Sequence, residues 1–516
     1  MRLSRIVLWL SGFCLALAAC QGPVSIPAAE STPQATQAVP QATGTEILAM
    51  PTGASSHPAT VGIPTAPTGT TAPAPSPTLE EIAQPRAHYR LSVVLDYTQH
   101  HLAVEEQITY PNRSSDPIPD LLLVVEPTRY PQVFRLKGLS WEDGEPVEDY
   151  DLQVGTLHVP LPKPLPPGES LVISLSYELD LPSPSPSYYG RPVPFGYSAR
   201  QTNLVDWYPF LPPYVPVQGW LAHQAGYFGE HLVYEAADFQ VTIRLAGAHK
   251  DVSIAASAPA GRDGDAYIYN HLAARNFVWS ASDQYQVSST SVGDITVLSY
   301  AFPLHTEAGE AALRTTAEAL ALYTERFGPY PHETLSVVEA DFLDGMEYDG
   351  LYFLSKGFYN LFSGTSADYL TAIAAHETAH QWWYGLVGND QAYEPWLDEA
   401  LATYSERLYY ERYYPESLDW WWAYRIHYYQ PGGWVDGSIY NPEGYRAYRD
   451  AVYLNGALFL EDLRSLVGEQ AFFAFLKDYA ATYTHQVANQ EDFFALLGEH
   501  SQEDLEPLLS RYFSDR

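Results

Sequence analysis

The chain reads as an α+β protein with two folded parts. An antiparallel all-β domain is expected over residues 86–291, followed by a mostly helical domain over residues 292–516. Three observations predict this. Apolar residues recur at period two in residues 89–97, 101–110, 171–177 and 239–245, separated by turn clusters such as Pro166-Pro167-Gly168. That is the pattern of half-buried strands. After Ile295 the period becomes helical, starting with an amphipathic stretch at residues 307–327 that Gly328-Pro329 ends. Within the helical part lies His376-Glu377-Thr378-Ala379-His380, a pattern that places two imidazoles on one helix face.

In chain order, residues 1–20 read as a bacterial lipoprotein signal. Arg2 and Arg5 precede a short apolar run at 6–17, and Leu17-Ala18-Ala19-Cys20 supplies small residues before a cysteine. Cys20 is then expected to carry the lipid, placing the protein outside the cell, anchored to the outer face of a membrane. Residues 21–85 are rich in Pro, Thr and Ala and contain no Lys or Arg. Such a composition cannot bury enough apolar surface to fold, so the segment is read as a disordered tether. In the all-β part, residues 121–125 form a continuous apolar run that suits a fully buried strand. In the helical part, helices are expected at 369–384, 396–413, 452–466, 470–483 and 490–499, with one short strand at 335–340.

Composition excludes several functions. The chain has 62 acidic against 27 basic residues, a net charge of −35. Nucleic-acid binding needs clustered Lys and Arg, so it is excluded. Anionic lipid headgroups would be repelled as well, so membrane attachment must come through the N-terminal lipid. The only cysteines are Cys14 and Cys20. Cys14 leaves with the signal, so neither disulfides nor cysteine catalysis is available to the folded body.

The H-E-x-x-H pattern is the signature of a zinc-binding helix in metallopeptidases. His376 and His380 supply two ligands, and Glu377 lies one step round, able to reach an activated water without ligating the metal. A third ligand is required, with a fourth position left open. Glu399, in Trp396-Leu397-Asp398-Glu399-Ala400, lies far enough on for a second helix to return a carboxylate. The rival pattern needs a Gly and a third His soon after the motif. Trp383 and Leu386 stand there instead. One Zn2+ per chain, held by His376, His380 and Glu399, is therefore expected, with Glu377 as general base. Residues flanking the motif are apolar (Ala374-Ala375 before, Gln381-Trp382-Trp383 after), so the helix should be buried, and a buried set of two His and a Glu needs a partner.

These residues also carry a resemblance. His376-Glu377-Thr378-Ala379-His380-Gln381-Trp382 and Trp396 through Tyr404 resemble the aminopeptidase N family of zinc peptidases, of the gluzincin type. Phe327-Gly328-Pro329-Tyr330-Pro331, Asp344-Gly345-Met346-Glu347-Tyr348 and Tyr453-Leu454-Asn455-Gly456-Ala457 resemble three further family segments, in order and spacing. The resemblance implies a saddle-shaped β-sandwich domain before a thermolysin-like catalytic domain, in a short form without the family's C-terminal helical domain. It gives Glu347 the substrate's N-terminal amine to bind, and Tyr453 the developing oxyanion. It also aligns Gln201 loosely with a substrate-contacting glutamine. Three positions depart from the family pattern: Asp344 stands for Gly, Gly345 for Ala and Tyr348 for Asn.

The expected function is hydrolysis of the N-terminal bond of peptide substrates. Two rivals stand beside it: a membrane-anchored zinc endopeptidase, and a catalytically silent surface lipoprotein that binds peptides. A peptide with a free amine, compared with the same peptide blocked, separates the three.

Overall fold

A computed structural model describes residues 85–183, 193–247 and 251–514. The expected signal and nearly all of the expected tether, including Cys20, lie outside the described residues. Among the described residues, no helix is long and apolar enough to cross a membrane.

The first part is built on a seven-stranded sheet. In spatial order its strands are Gly261–Asp263, Ala266–Ala274, Ala237–Ala246, His88–Asp96, His101–Pro111, Ser170–Asp180 and Phe134–Trp141. Alternation does what the sequence implied: Tyr89, Leu91, Val93 and Leu95 point inward from the His88–Asp96 strand. Smaller sheets, of three strands around Gly155–Leu165 and of four around Thr202–Leu204, cover the inner face. The tyrosine, tryptophan and branched side chains between them form one core. The sequence predicted a purely antiparallel domain, and one pair departs from that. His88–Asp96 runs parallel to Ala237–Ala246, with Leu91 opposite Val241. Parallel neighbours need a long connection, and the intervening chain carries three other strands of the large sheet, the whole three-stranded sheet and two strands of the four-stranded one.

The second part contains more sheet than the sequence suggested. Five strands lie in the order Gln286–Val292, Ile295–Ala301, Thr334–Ala340, Leu351–Ser355, Gly345–Tyr348. The Thr306–Phe327 helix is the crossover between the parallel strands Ile295–Ala301 and Thr334–Ala340. The first two strands pair as a hairpin, so the division expected at 291/292 falls inside that hairpin. Gly345–Tyr348 is an edge strand, antiparallel to Leu351–Ser355. The remaining helices pack beneath around Trp382, Trp383, Trp396 and Phe459, all almost fully buried.

The motif helix is shorter than the expected 369–384. It spans Tyr369–Ala379, capped at its start by Asp368, whose carboxylate accepts the Leu370 N–H. Beyond His380 the chain turns back, with Tyr384 at φ 129° and Gly385 N–H donating to the His380 carbonyl. That turn brings the Trp383 carbonyl to His380 Nδ1. A continued helix would carry it away, so the helix ends where the second histidine needs a hydrogen-bond acceptor. Gln381, just past the end, donates to the Tyr348 carbonyl and accepts from Gly350 N–H. Its amide fastens the motif helix to the turn after the edge strand.

Candidate metal centre and active site

Two antiparallel helices and one edge strand converge on the site. Tyr369–Ala379 presents His376 and Glu377, with His380 at its end; Trp396–Tyr413 presents Glu399; Gly345–Tyr348 presents Glu347. All five side chains are buried. Tyr453 comes from a short π-helical turn, Asp450–Asn455, that leads into the Gly456–Val467 helix. Such wide turns recur at functional sites because the extra residue re-aims a side chain. Gly456 lets this helix approach closely: a Cβ there would lie 2.4 Å from Ala400 Cβ.

The donor set fits a tetrahedral cation. His376 Nε2 lies 3.2 Å from Glu399 Oε2 and 3.1 Å from His380 Nε2, and His380 Nε2 lies 3.6 Å from Glu399 Oε2. Metal bonds of about 2.0–2.2 Å in a tetrahedron give edges of roughly 3.3–3.5 Å. The tautomers agree. His376 Nδ1 lies 2.9 Å from Glu406 Oε1, and His380 Nδ1 lies 2.9 Å from the Trp383 carbonyl. Both Nδ1 atoms donate to pure acceptors, so both Nε2 atoms present lone pairs to one another and to a carboxylate oxygen. Three facing lone pairs repel unless a positive charge lies between them. Burial works against a charged imidazole, yet Glu347, Glu399 and Glu377 hold His380 well above the ordinary histidine range. The cavity favours positive charge at this point.

Glu406 completes the arrangement and has no counterpart in the sequence reasoning. Its carboxylate is fully buried and accepts four hydrogen bonds: from His376 Nδ1, Trp421 Nε1, Arg425 Nε and Arg425 Nη2. Carboxylates that orient a ligating histidine in this way fix its tautomer and raise its basicity. Trp421 and Arg425 sit on a second π-helical turn, Trp421–Ile426. One signal existed: Glu406 follows Glu399 by seven residues, two helical turns on the same face.

Glu377 Oε2 is buried and has no hydrogen-bond partner, the kind of orphan that awaits water or substrate. Burial, and then the carboxylates of Glu347, Glu399 and Asp344, push its pKa well above the usual carboxylate range despite His380. Its other oxygen rests against Gly345, where a Cβ would lie 2.0 Å from Oε1. Gly345 stands where the family motif has Ala, and its lack of a Cβ leaves the space that the Glu377 carboxylate takes here. Tyr453 donates to Glu399 Oε1 at 2.5 Å, its ring stacked beside that of His376. Burial and then the Glu399 charge push its hydroxyl well above the usual tyrosine range, so it is a neutral donor.

Glu347 accepts from Gln391 Nε2, which also bonds Asp398. The carboxylates of Glu347, Glu399 and Glu230 come within 4.8 Å of one another. Glu230 was missed. It lies in the loop before the Ala237–Ala246 strand and carries no motif, so only the fold brings it here. Gln201 does not act as the loose alignment suggested. It donates to Tyr285 Oη and the Glu339 carbonyl and accepts from Asp341 N–H, and this spends its amide on joining the two parts. Nearby, Tyr409, Tyr410 and Trp421 are core, whereas Tyr424 and Tyr428 reach solvent.

A second cluster, His271, His332 and Asp349, fails the same geometric test. His332 Nε2 and Asp349 Oδ1 are 2.7 Å apart, and His271 Nε2 meets the Asp349 backbone carbonyl at 3.3 Å. These are hydrogen bonds with ordinary partners, and the cluster ties the β part to the turn after the edge strand.

Comparison with known proteins supports this geometry. Residues 311–512 match the peptidase family M1 domain. Rice aminopeptidase M1-D is 29% identical over 220 residues, 40% of this chain and 25% of that protein. Human endoplasmic reticulum aminopeptidase 1 is 27% identical over 227 residues, 41% of this chain and 24% of that protein. The chain thus spans about a quarter of the length of the curated relatives it matches. The fold is similar to a crystal structure of an M1 zinc metallopeptidase from Deinococcus radiodurans, with TM-score 0.56 and 20% identity over 81% of this chain and 91% of that one. A mutant of the same enzyme bound to a Tyr-Ser-Ala substrate gives TM-score 0.58 at 20% identity, over 84% of this chain and 95% of that one. The two-histidine motif and the returning glutamate both fall within residues 311–512, the stretch that is similar to the peptidase family M1 domain.

Proposed function

We propose that the chain is a zinc-dependent aminopeptidase that hydrolyses the first peptide bond of peptides. The supporting observation is the juxtaposition of a three-donor metal cradle with a second group of carboxylates, Glu347 and Glu230, one residue's length away. A zinc ion held by His376, His380 and Glu399 supplies Lewis acidity toward a water and the scissile carbonyl. Glu377, which has a buried, unpartnered oxygen and groups with His380 and Glu347, takes the water's proton and passes it to the leaving amine. Tyr453 donates to the carbonyl oxygen as negative charge develops on it. Glu347, Glu230 and the Glu399 edge hold the substrate's free ammonium by charge-assisted hydrogen bonds, which would place the first peptide bond beside Glu377 and the metal ligands. Residues 1–20 bring a further part of the reading: export and lipid anchoring through Cys20. A Cys20→Ala variant should move from the membrane to the soluble fraction, and an unchanged distribution would exclude the anchor.

The test uses one short peptide with a free amine and the same peptide N-acetylated. Cleavage of the free form only, one residue at a time, is the expected outcome. Cleavage of both at similar rates would make the protein an endopeptidase, and cleavage of neither by zinc-loaded protein would leave a binding function. Glu347→Ala should lower kcat/KM for the free-amine peptide by at least about tenfold, the loss of one charge-assisted contact.

A further inference from the structure

Asp344 holds a backbone conformation that side chains rarely adopt, with φ at 103°, immediately before the Gly345–Tyr348 edge strand. Its carbonyl accepts from Ser355 N–H, which locks the turn. Its carboxylate accepts from the neighbouring Gly345 N–H at 3.0 Å, and no lysine or arginine among the described residues pairs with it. The charged and titratable groups facing it are Arg425, His376, Glu399, Glu377 and Tyr445. Of these only Arg425 is a fixed cation, and it is held through two nitrogens by Glu406. The Asp344 side chain is open to solvent yet stands among the walls of the site. The half-exposed ring of Tyr445 lies on the same side.

Direction along the edge strand says which part of a substrate meets it. Glu347 and Gly345 share one face of the strand, because side chains alternate. Glu347 belongs to the carboxylate group proposed to take the amine, and Gly345 lies against Glu377, beside the bond to be cut. A peptide that starts at Glu347 and passes Glu377 therefore continues toward Asp344. Three residues of extended backbone separate Glu347 from Asp344, about 10 Å. That matches the reach from a free amine to the side chain of the second residue. We propose that Asp344 is a specificity residue that recognises a basic side chain, Lys or Arg, immediately after the scissile bond, with Tyr445 covering its aliphatic stem. The inference rests on the aminopeptidase reading and deepens it.

The test compares Ala-Lys-Ala, Ala-Leu-Ala and Ala-Glu-Ala, with alanine 4-nitroanilide as a substrate that lacks a second residue. Wild type should show kcat/KM in the order Lys over Leu over Glu, with Lys ahead of Leu by about tenfold, the scale of one charge-assisted contact. Asp344→Asn, which keeps shape and tolerates positive φ, should bring the Lys to Leu ratio within about twofold of unity. The nitroanilide, which has no second residue, reads whatever the loss of the Asp344 charge does to Glu377, and the peptide rates are compared after division by that factor. An unchanged ratio, or an equal loss on all four substrates, would overturn the proposal. Should wild type cleave no peptide, the aminopeptidase reading fails separately. Calorimetric binding of the same three peptides to zinc-loaded Glu377→Gln protein, with and without Asp344→Asn, then decides this one. Equal affinities for the Lys and Leu peptides would refute it.

Discussion

Glu406 offers the most discriminating perturbation, because its four hydrogen bonds divide into two pairs. Oε1 accepts from His376 Nδ1 and Arg425 Nη2; Oε2 accepts from Trp421 Nε1 and Arg425 Nε. In Glu406→Gln one of these oxygens becomes an NH2 donor, and either placement sets it against two N–H groups. At the Oε1 position it can be satisfied only by drawing His376 into the other tautomer, which places a proton on Nε2 and removes a metal ligand. At the Oε2 position it leaves Trp421 and Arg425 without acceptors. In both cases the buried Arg425 charge loses its counter-ion, which costs about 3–5 kcal/mol of stability. Loss of the carboxylate behind a ligating histidine lowers metal affinity about 10–100-fold, or about 1.4–2.7 kcal/mol. Urea unfolding of the metal-free protein reads the first quantity, and competition with a chromogenic chelator reads the second. The double variant Glu406→Leu with Arg425→Met separates them. Removing both charges should restore most of the stability while zinc affinity stays low. Zinc affinity within twofold of wild type in Glu406→Gln would refute the tautomer argument. Recovery of affinity in the double variant would show that the effect came from general destabilisation.

Three other outcomes are expected. Gly345→Ala should push Glu377 out of place, since the new Cβ would lie 2.0 Å from its Oε1 and 2.8 Å from Ile373 Cγ2. Turnover should fall about 10²-fold, with about 1–3 kcal/mol of destabilisation and full metal content; wild-type turnover would show that the Glu377 carboxylate yields to the methyl without leaving its working position. Tyr453→Phe should lower kcat about 10²–10³-fold with KM nearly constant, whereas a drop in zinc affinity instead would make Tyr453 a positioning group for Glu399. The third concerns acid stability. Burial, and then His332, lowers His271 to about 3, against about 6.5 in the unfolded chain. Between those values the unfolded chain binds a proton that the folded protein does not. Stability therefore falls as pH falls, by about 1.4 kcal/mol per unit, while above about 6.5 this group contributes no slope. His485, lowered to about 4 by burial and then Arg275, adds a second share between about 6.5 and 4. Urea unfolding at pH 7, 6 and 5 should show a shallower decline for His271→Gln than for wild type, and identical slopes would contradict the assignment.

Local periodicity was readable wherever one face of an element meets the core. The Trp396–Tyr413 helix and the strands His88–Asp96 and His101–Pro111 lie within a residue or so of the period-based expectation. Elements buried on both faces were not. Thr334–Ala340 and Leu351–Ser355 are buried at every position, so alternation is lost and only one of the two strands was expected. The motif helix was extended too far because Gln381-Trp382-Trp383 continues an apolar run, and a tight buried turn shows the same composition as a buried helix. The parallel pairing of His88–Asp96 with Ala237–Ala246 joins segments about 150 residues apart, which no local pattern encodes.

By itself the sequence determined the chemistry of the centre. The expectation that His376, His380 and Glu399 form one ligand set follows from helical spacing and ligand type, both local properties of the chain, and the fold brings their donor atoms together. Tertiary structure alone decided what surrounds that centre. Glu406, Trp421 and Arg425 set the tautomer of His376 from across the helix pair. Glu230 reaches the site from the β part, and the Glu377 carboxylate lies in the space that Gly345 leaves open. Each of these roles depends on two segments distant in sequence sharing a few ångströms of buried space, where desolvation makes every unpaired donor or charge costly. Spacing along a chain carries no record of that proximity.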